Sequence, residues 1–379
     1  MEILGTDYLL VTLDFETAYG TKYSLTSMNT FTYVDDPRFS IHGVGLKIDD
    51  ETAIWYDNVQ EALDLIDAHA EDQGKPVALL CHNTYFDGWI LHAKFNWHPD
   101  LYLDSMGMSR GMFPTHSASL EKLCERLWPN DPRMRKGKEL VKFFNVTTEE
   151  LYADPAKLKA MIKYCCGTAK EPGDVELTYA AFVRMLPFYP DEELELIHLT
   201  LQMHCEPMLM IDTARVERCR ELAIERRNQL IAASGLSETL LSSNAQFERW
   251  LVANDIPVPL KDSPTKFVKD ENGNDTDVPE KIPALGKSDL GFIALRRDYP
   301  QYEHVWAGRV AAKSVGEITR AERFLQTAEQ TGGFMPVPLI YYSAHTGRYG
   351  GGEKLNLQNL GRGSELRRSL CVPSREEAL

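Results

Sequence analysis

The sequence lacks any apolar run near the roughly 18 residues that a membrane-spanning helix needs. Its first residues, MEILGTDYLLVTLDFETA, carry neither a basic leader nor a cleavable apolar stretch. Membrane insertion and secretion are therefore disfavoured, and a cytoplasmic location is expected. It also lacks any Cys-x-x-Cys pair. Its seven cysteines show no zinc or disulfide spacing, which argues against a disulfide scaffold or zinc finger and fits a reducing compartment. Positive charge is in deficit, with 41 Lys and Arg against 56 Asp and Glu, a net charge of −15. That balance disfavours a protein coated in nucleic acid but leaves room for a local basic groove beside an acidic metal site. No internal repeat is present.

What is present is a chain of 379 residues, long enough for about two domains with their own cores, with 43% hydrophobic and 26% charged residues as in ordinary globular proteins. The first part alternates β-rich runs (LLVTLDF, IHGVGLKI, TAIWY, PVALLCH) with helical patterns. This predicts an α/β domain, a mixed sheet flanked by helices, over residues 1–190. EALDLIDAHAEDQ has helical spacing and stops before Gly74 and Pro76, and SASLEKLCERL offers Ser117 or Ser119 as a cap. The texture changes near Pro187 to Pro190, where two long amphipathic helical patterns begin. They predict a mainly helical region over 191–335, interrupted around 256–284 by a polar, Pro-rich and Gly-rich insertion read as an exposed loop or hairpin. The stretch 336–379 is rich in Gly, Asn and Arg, a chemistry suited to backbone contact with a polyanion.

Asp14 and Glu16 lie two apart at the end of an apolar run, so an extended strand projects both from one face. Asp87 follows in LLCHNTYFDGWIL, at a strand-to-helix corner with Asn83, and Asp174 opens a helical pattern in GDVELTYAAF. Four carboxylates from separate elements suit Mg²⁺ or Mn²⁺, which take oxygen ligands and need no His or Cys. Two such ions about 3.5–4 Å apart hydrolyse phosphodiesters. His82 reads as a hydrogen-bonded corner, His42 as a strand residue and the adjacent Cys165 and Cys166 as small apolar packing. Arg133, Arg135, Lys136 and Lys138 form a basic run that either steers single-stranded DNA or faces solvent.

The ordered set LDFET, HNTYFD and GDVELT resembles the three exonuclease motifs of the DEDD superfamily. Together with SAHTGRYGGGEKLNLQNLGRGSELRRSL, which resembles the family A segment entering the palm, it points to family A DNA polymerases, the DNA polymerase I class, and to their phage-encoded members. The resemblance implies a ribonuclease-H-like 3′→5′ exonuclease domain followed by a thumb and the start of a palm. By motif, Asp14, Glu16 and Asp174 would hold the metal nearest the attacking water, Asp87 would hold a second ion largely through water, and Asn83 would lie near the frayed primer end. Asp104 resembles a structural position. The family's third motif places a water-orienting Tyr four residues before its Asp, whereas Tyr164 and Asp174 are ten apart. Looping out GTAKEP restores the spacing, and the alternative is a Tyr packed beneath the site.

By the same resemblance Thr346, Arg348, Asn356, Gln358, Asn359 and Arg367 would follow the primer-template, and Lys313 and Ser314 would touch phosphates from the thumb. The chain stops at PSREEAL, where the family would soon reach its polymerase metal motif. The expectation is therefore a metal-dependent exonuclease and DNA-gripping part, with synthesis left to a second polypeptide carrying palm and fingers or to residues removed by truncation. The competing readings are a free-standing exonuclease with a helical DNA-binding half and a non-catalytic DNA clamp, the second requiring a disabled metal site.

Overall fold

The computed structural model describes residues 1–271 and 273–372. Packing divides the chain into two units: residues 1–212 together with the segment from Gln326 onward, and Thr213–Leu325.

The first unit is built on a five-stranded sheet. Its central strand, β1 (Leu9–Thr17), is flanked by antiparallel β2 (Ile41–Ile48), which continues to antiparallel β3 (Ile54–Tyr56). On its other side runs parallel β4 (Val77–Cys81), followed by parallel β5 (Leu101–Asp104). A central strand is covered on both faces, which explains why Leu9, Leu10, Val11, Leu13 and Phe15 are nearly continuous and all buried. The parallel pairs need crossovers. Helix α1 (Val59–Gln73) makes the first, ending at Gly74 in the left-handed conformation, and α2 (Thr84–Ile90) begins the second. The expected mixed sheet with flanking helices is present.

Further helices complete this layer. They are α3 (Ser105–Met112), α4 (Leu120–Leu127), α5 (Pro155–Cys166) and α6 (Asp174–Met185), of which α6 packs across β1, β2 and β4. Ser119 caps α4, its hydroxyl accepting the Lys122 amide.

The boundary expected near Pro187 to Pro190 does not separate the units. A 3-10 turn at Leu186–Phe188 redirects the chain into α7 (Asp191–Cys205), which packs on β5 and α2 and buries Leu194, Ile197, Leu201 and Cys205. The prolines mark a change of direction and not of core. The region after Gln326 likewise returns to the first unit, where Leu209–Ile211 pairs with both Phe334–Met335 and Leu370–Cys371.

The second unit packs α8 (Thr213–Ala233) against α11 (Glu303–Lys313), with α9 (Asn244–Ala253) and α10 (Leu290–Asp298) around Trp306. Phe247, Trp250, Phe292 and Tyr302 surround that indole edge-on, with ring centroids 6.0–6.1 Å from its own. The expected insertion is a two-stranded antiparallel hairpin, Leu260–Lys269 with Asp275–Pro283. No helix among the described residues is long and apolar enough to cross a membrane. PSREEAL lies outside the described residues.

Candidate functional site

β1 carries Asp14 opposite Gly45 and Glu16 opposite Gly43 of β2. The two-residue period puts both carboxylates on one face. Asp87 approaches from the first turn of α2, where the Phe15 amide donates to its Oδ1 at 3.0 Å, so β1 itself fixes its position. Asn83 starts that helix with φ of 89°, a left-handed conformation that Asn tolerates better than most residues. Its amide donates to Asp104 Oδ1 at 2.9 Å, which also accepts the Met106 amide at 3.0 Å. Asp104 is thus the clasp that holds the corner and caps α3.

Asp174 opens α6 and Tyr164 lies in the last turn of α5. The intervening GTAKEP closes on itself through the bridge between Gly167 and Pro172 and the Thr168 amide bonded to Glu171 O at 2.7 Å. Gly173 makes this closure possible, since a Cβ there would stand 2.3 Å from Gly167 N. The looped-out residues bring Tyr164 and Asp174 to one place.

Asp14, Glu16, Asn83, Asp87, Tyr164 and Asp174 all line a single cavity of about 370 Å³. Lys136 lines it too. Its ammonium donates to Asp174 Oδ2 and lies 4.7 Å from the centre of the Tyr164 ring. Asp174 Oδ1 is buried with no hydrogen-bond partner. Ligand atoms of Asp14, Glu16 and Cys165 come within 4.8 Å of one another, and the Cys165 thiol sits 3.9 Å from Asp14 Oδ2.

The electrostatics are those of a site short of positive charge. Burial pushes Asp14 up to about 6, against the opposing pull of Lys136. Burial also raises Glu16 and Asp87, each further raised by the charge on Asp14. Tyr164 is pushed up by burial and by Glu16 and Asp14. A folded-state value above the ordinary carboxylate value means that the folded chain holds the Asp14 proton more tightly than the unfolded chain. That contribution is complete below about pH 4 and disappears as pH rises through about 6, so ionised Asp14 then weighs against the fold by on the order of 1–3 kcal/mol. Asp14→Asn is accordingly expected to stabilise the protein by that amount in EDTA at pH 8, with the gain vanishing near pH 4, as read from urea unfolding at both pH values.

The basic run separates into different roles. Arg133 pairs with Asp131 at 2.8 Å and Arg135 donates to the carbonyls of Trp128, Asp131 and Met134, so both tie down their own loop. Only Lys136 of this run lines the cavity, and nothing local in the sequence marks it, because its partner is contributed by α6. The apolar walls Phe86, Met106 and Leu120 were likewise not singled out by pattern. His82 is the expected corner, with Nδ1 2.8 Å from Ser105 Oγ and Nε2 3.0 Å from Ala118 O, and burial pushes it down to about 3. Cys165 and Cys166 are buried with Ala53 and Val175.

The remaining sequence candidates lie elsewhere. Thr346, Arg348, Asn356, Gln358, Asn359 and Arg367 are exposed on a stretch anchored by buried Leu355, Leu360 and Leu366. Asn356 spends its Oδ1 on the Gln358 amide at 3.1 Å, capping a short turn. Lys313 and Ser314, in the second unit, line a groove of about 470 Å³ with Lys287, Arg309 and Arg320.

The fold is similar to that of a solved structure described as the polymerase domain of Pol1 from M. smegmatis in complex with DNA primer-template and dNTP. Its TM-score is 0.52 at 15% identity, with 95% of this chain and 54% of that chain covered. The chain therefore spans about half of that structure, and the likeness is one of fold. No family model and no curated protein matches the sequence.

Proposed function

We propose that the first unit is a metal-dependent 3′→5′ exodeoxyribonuclease of ribonuclease-H-like design. In this reading it is the proofreading and DNA-gripping part of a family A DNA polymerase, phage-type. The observation that carries the reading is the convergence of Asp14, Glu16, Asp87 and Asp174, from three different elements, with Tyr164 in one cavity. The donor set fits hard divalent ions: Glu16, Asp87 and Asp174 are buried, Asp14, Glu16 and Asp87 are held above their ordinary values, and one oxygen of Asp174 has no partner. A clamp without catalysis would not need to retain such a costly cluster.

Asp14, Glu16 and Asp174 would hold one Mg²⁺ or Mn²⁺ and Asp87 the second. Bound there, two divalent ions acidify a water and stabilise charge on the attacking and leaving oxygens of a phosphodiester. Tyr164 would orient the attacking water through its hydroxyl, and Asn83 would meet the terminal nucleotide at the cavity mouth. In the second unit the groove of Lys313 and Ser314 would contact duplex phosphates, and the exposed row from Thr346 to Arg367 would follow the primer-template.

A 5′-labelled single strand should shorten into a ladder from its 3′ end in Mg²⁺ and stay intact in EDTA. A strand left whole in both conditions, or internal cleavage without a ladder, would overturn the proposal. Tyr164→Phe is expected to lower kcat roughly 5-fold to 100-fold with little change in KM, the loss of one hydrogen bond formed to the activated water. Single-turnover rates at saturating DNA check this.

A further inference from the structure

Resting on that reading of the cavity, we propose that Lys136 is a tethered cation that occupies the position of a divalent ion at Asp174 and must withdraw when the ion binds. It acts as a built-in competitor that keeps the carboxylates together when no metal is there.

Three observations carry this. The Lys136 ammonium is already bonded to Asp174 Oδ2, on a carboxylate assigned above to the metal. Its side chain is 25% exposed against 7% for Asp174, so the charge reaches inward from the cavity mouth to a nearly closed carboxylate. The face of Tyr164, 4.7 Å away, gives the ammonium a second resting contact.

The neighbouring arginines do not share this geometry, since Arg133 and Arg135 are committed to their own loop. A lysine also has the right mechanical character. It is a compact point charge on a flexible four-carbon stem, able to leave one oxygen without dismantling a bidentate fork. An ammonium and a divalent ion cannot both sit against Asp174 Oδ2, because they repel and need the same lone pairs. One ammonium is an incomplete match for four carboxylates, and it leaves Asp174 Oδ1 without a partner.

Competition is reciprocal: whatever free energy Lys136 contributes in the metal-free state is withdrawn from metal binding. The full chain is titrated with Mn²⁺ alone, followed by calorimetry. Lys136→Gln should bind Mn²⁺ at least about 5-fold more tightly than wild type, while Lys136→Arg, which keeps the charge, should gain less. An unchanged or weaker affinity in folded Lys136→Gln would overturn the proposal. That result together with weaker DNA binding would instead make Lys136 a phosphate contact.

A second measurement needs no substitution. Amine-reactive labelling of Lys136 in the wild-type protein, read by mass spectrometry, should rise when Mn²⁺ is added, and no rise would also count against displacement. Asp14→Ala plus Glu16→Ala separates the two levels of the claim. Mn²⁺ binding lost in that variant but indifferent to Lys136→Gln rejects only the lysine's role. Binding retained in it rejects the metal-site reading and this inference together.

Discussion

Replacing Asp14 and Glu16 together with Ala is expected to reduce 3′→5′ degradation by about 1000-fold or more while leaving the fold intact. The two side chains leave a common face of β1 and supply ligands to the ion nearest the attacking water in the proposed site. Polarisation by a bound divalent ion contributes several kcal/mol to such a transition state, and each 1.36 kcal/mol is about tenfold in rate. Loss of activity through unfolding would be a trivial cause, but the physics opposes it. Both carboxylates are held above their ordinary values by burial, so removing them relieves an electrostatic cost in EDTA. A melt in EDTA at or above the wild-type midpoint, with the ladder gone, is the combined signature. A variant that degrades DNA at wild-type rate would place the chemistry elsewhere.

Gly45→Val is the second large effect and works from beside Asp14, on the same face of the sheet. Gly45 faces Asp14 across the β1–β2 ladder, and a Cβ added there would stand 2.5 Å from Cys165 Sγ, 2.8 Å from Val175 Cγ2 and 3.0 Å from Cys166 Sγ. Those three atoms belong to α5 and α6, the helices that present Tyr164 and Asp174. Overpacking a filled core costs about 1–3 kcal/mol, and here the strain pushes both helices off the sheet that carries Asp14. A displacement of about 1 Å between reacting groups is enough for a roughly 100-fold loss. The variant should show both a lower urea midpoint and a collapse in single-turnover rate. Wild-type values for both would mean that Cys165 and Val175 can retreat at no cost.

Much of this arrangement was legible in the residues because strands and corners have strong local signals. The apolar run of β1 followed by D-x-E requires no tertiary knowledge to place two carboxylates on one face, and Gly74 stops α1 where its pattern ends. The ten-residue gap between Tyr164 and Asp174 was legible only as a choice, and the Gly167–Pro172 bridge is what brings the two together. Lys136 was not legible. Its sequence neighbours are cations of similar appearance, and the difference among them comes from Asp174 and Tyr164 arriving from other helices. The division of the chain was also obscured, because the prolines around 187–190 look like a linker while Leu194, Ile197 and Leu201, which return α7 to the sheet, read equally well as part of a new helical domain.

The central claim is that four carboxylates hold two ions in one cavity. Crystals of the protein soaked with Mn²⁺ and a deoxynucleoside monophosphate, measured for anomalous scattering, test it directly. The account predicts two peaks about 3.5–4 Å apart, one among Asp14, Glu16 and Asp174 and the other beside Asp87. A cavity without anomalous density, with Mn²⁺ bound only elsewhere, would contradict it.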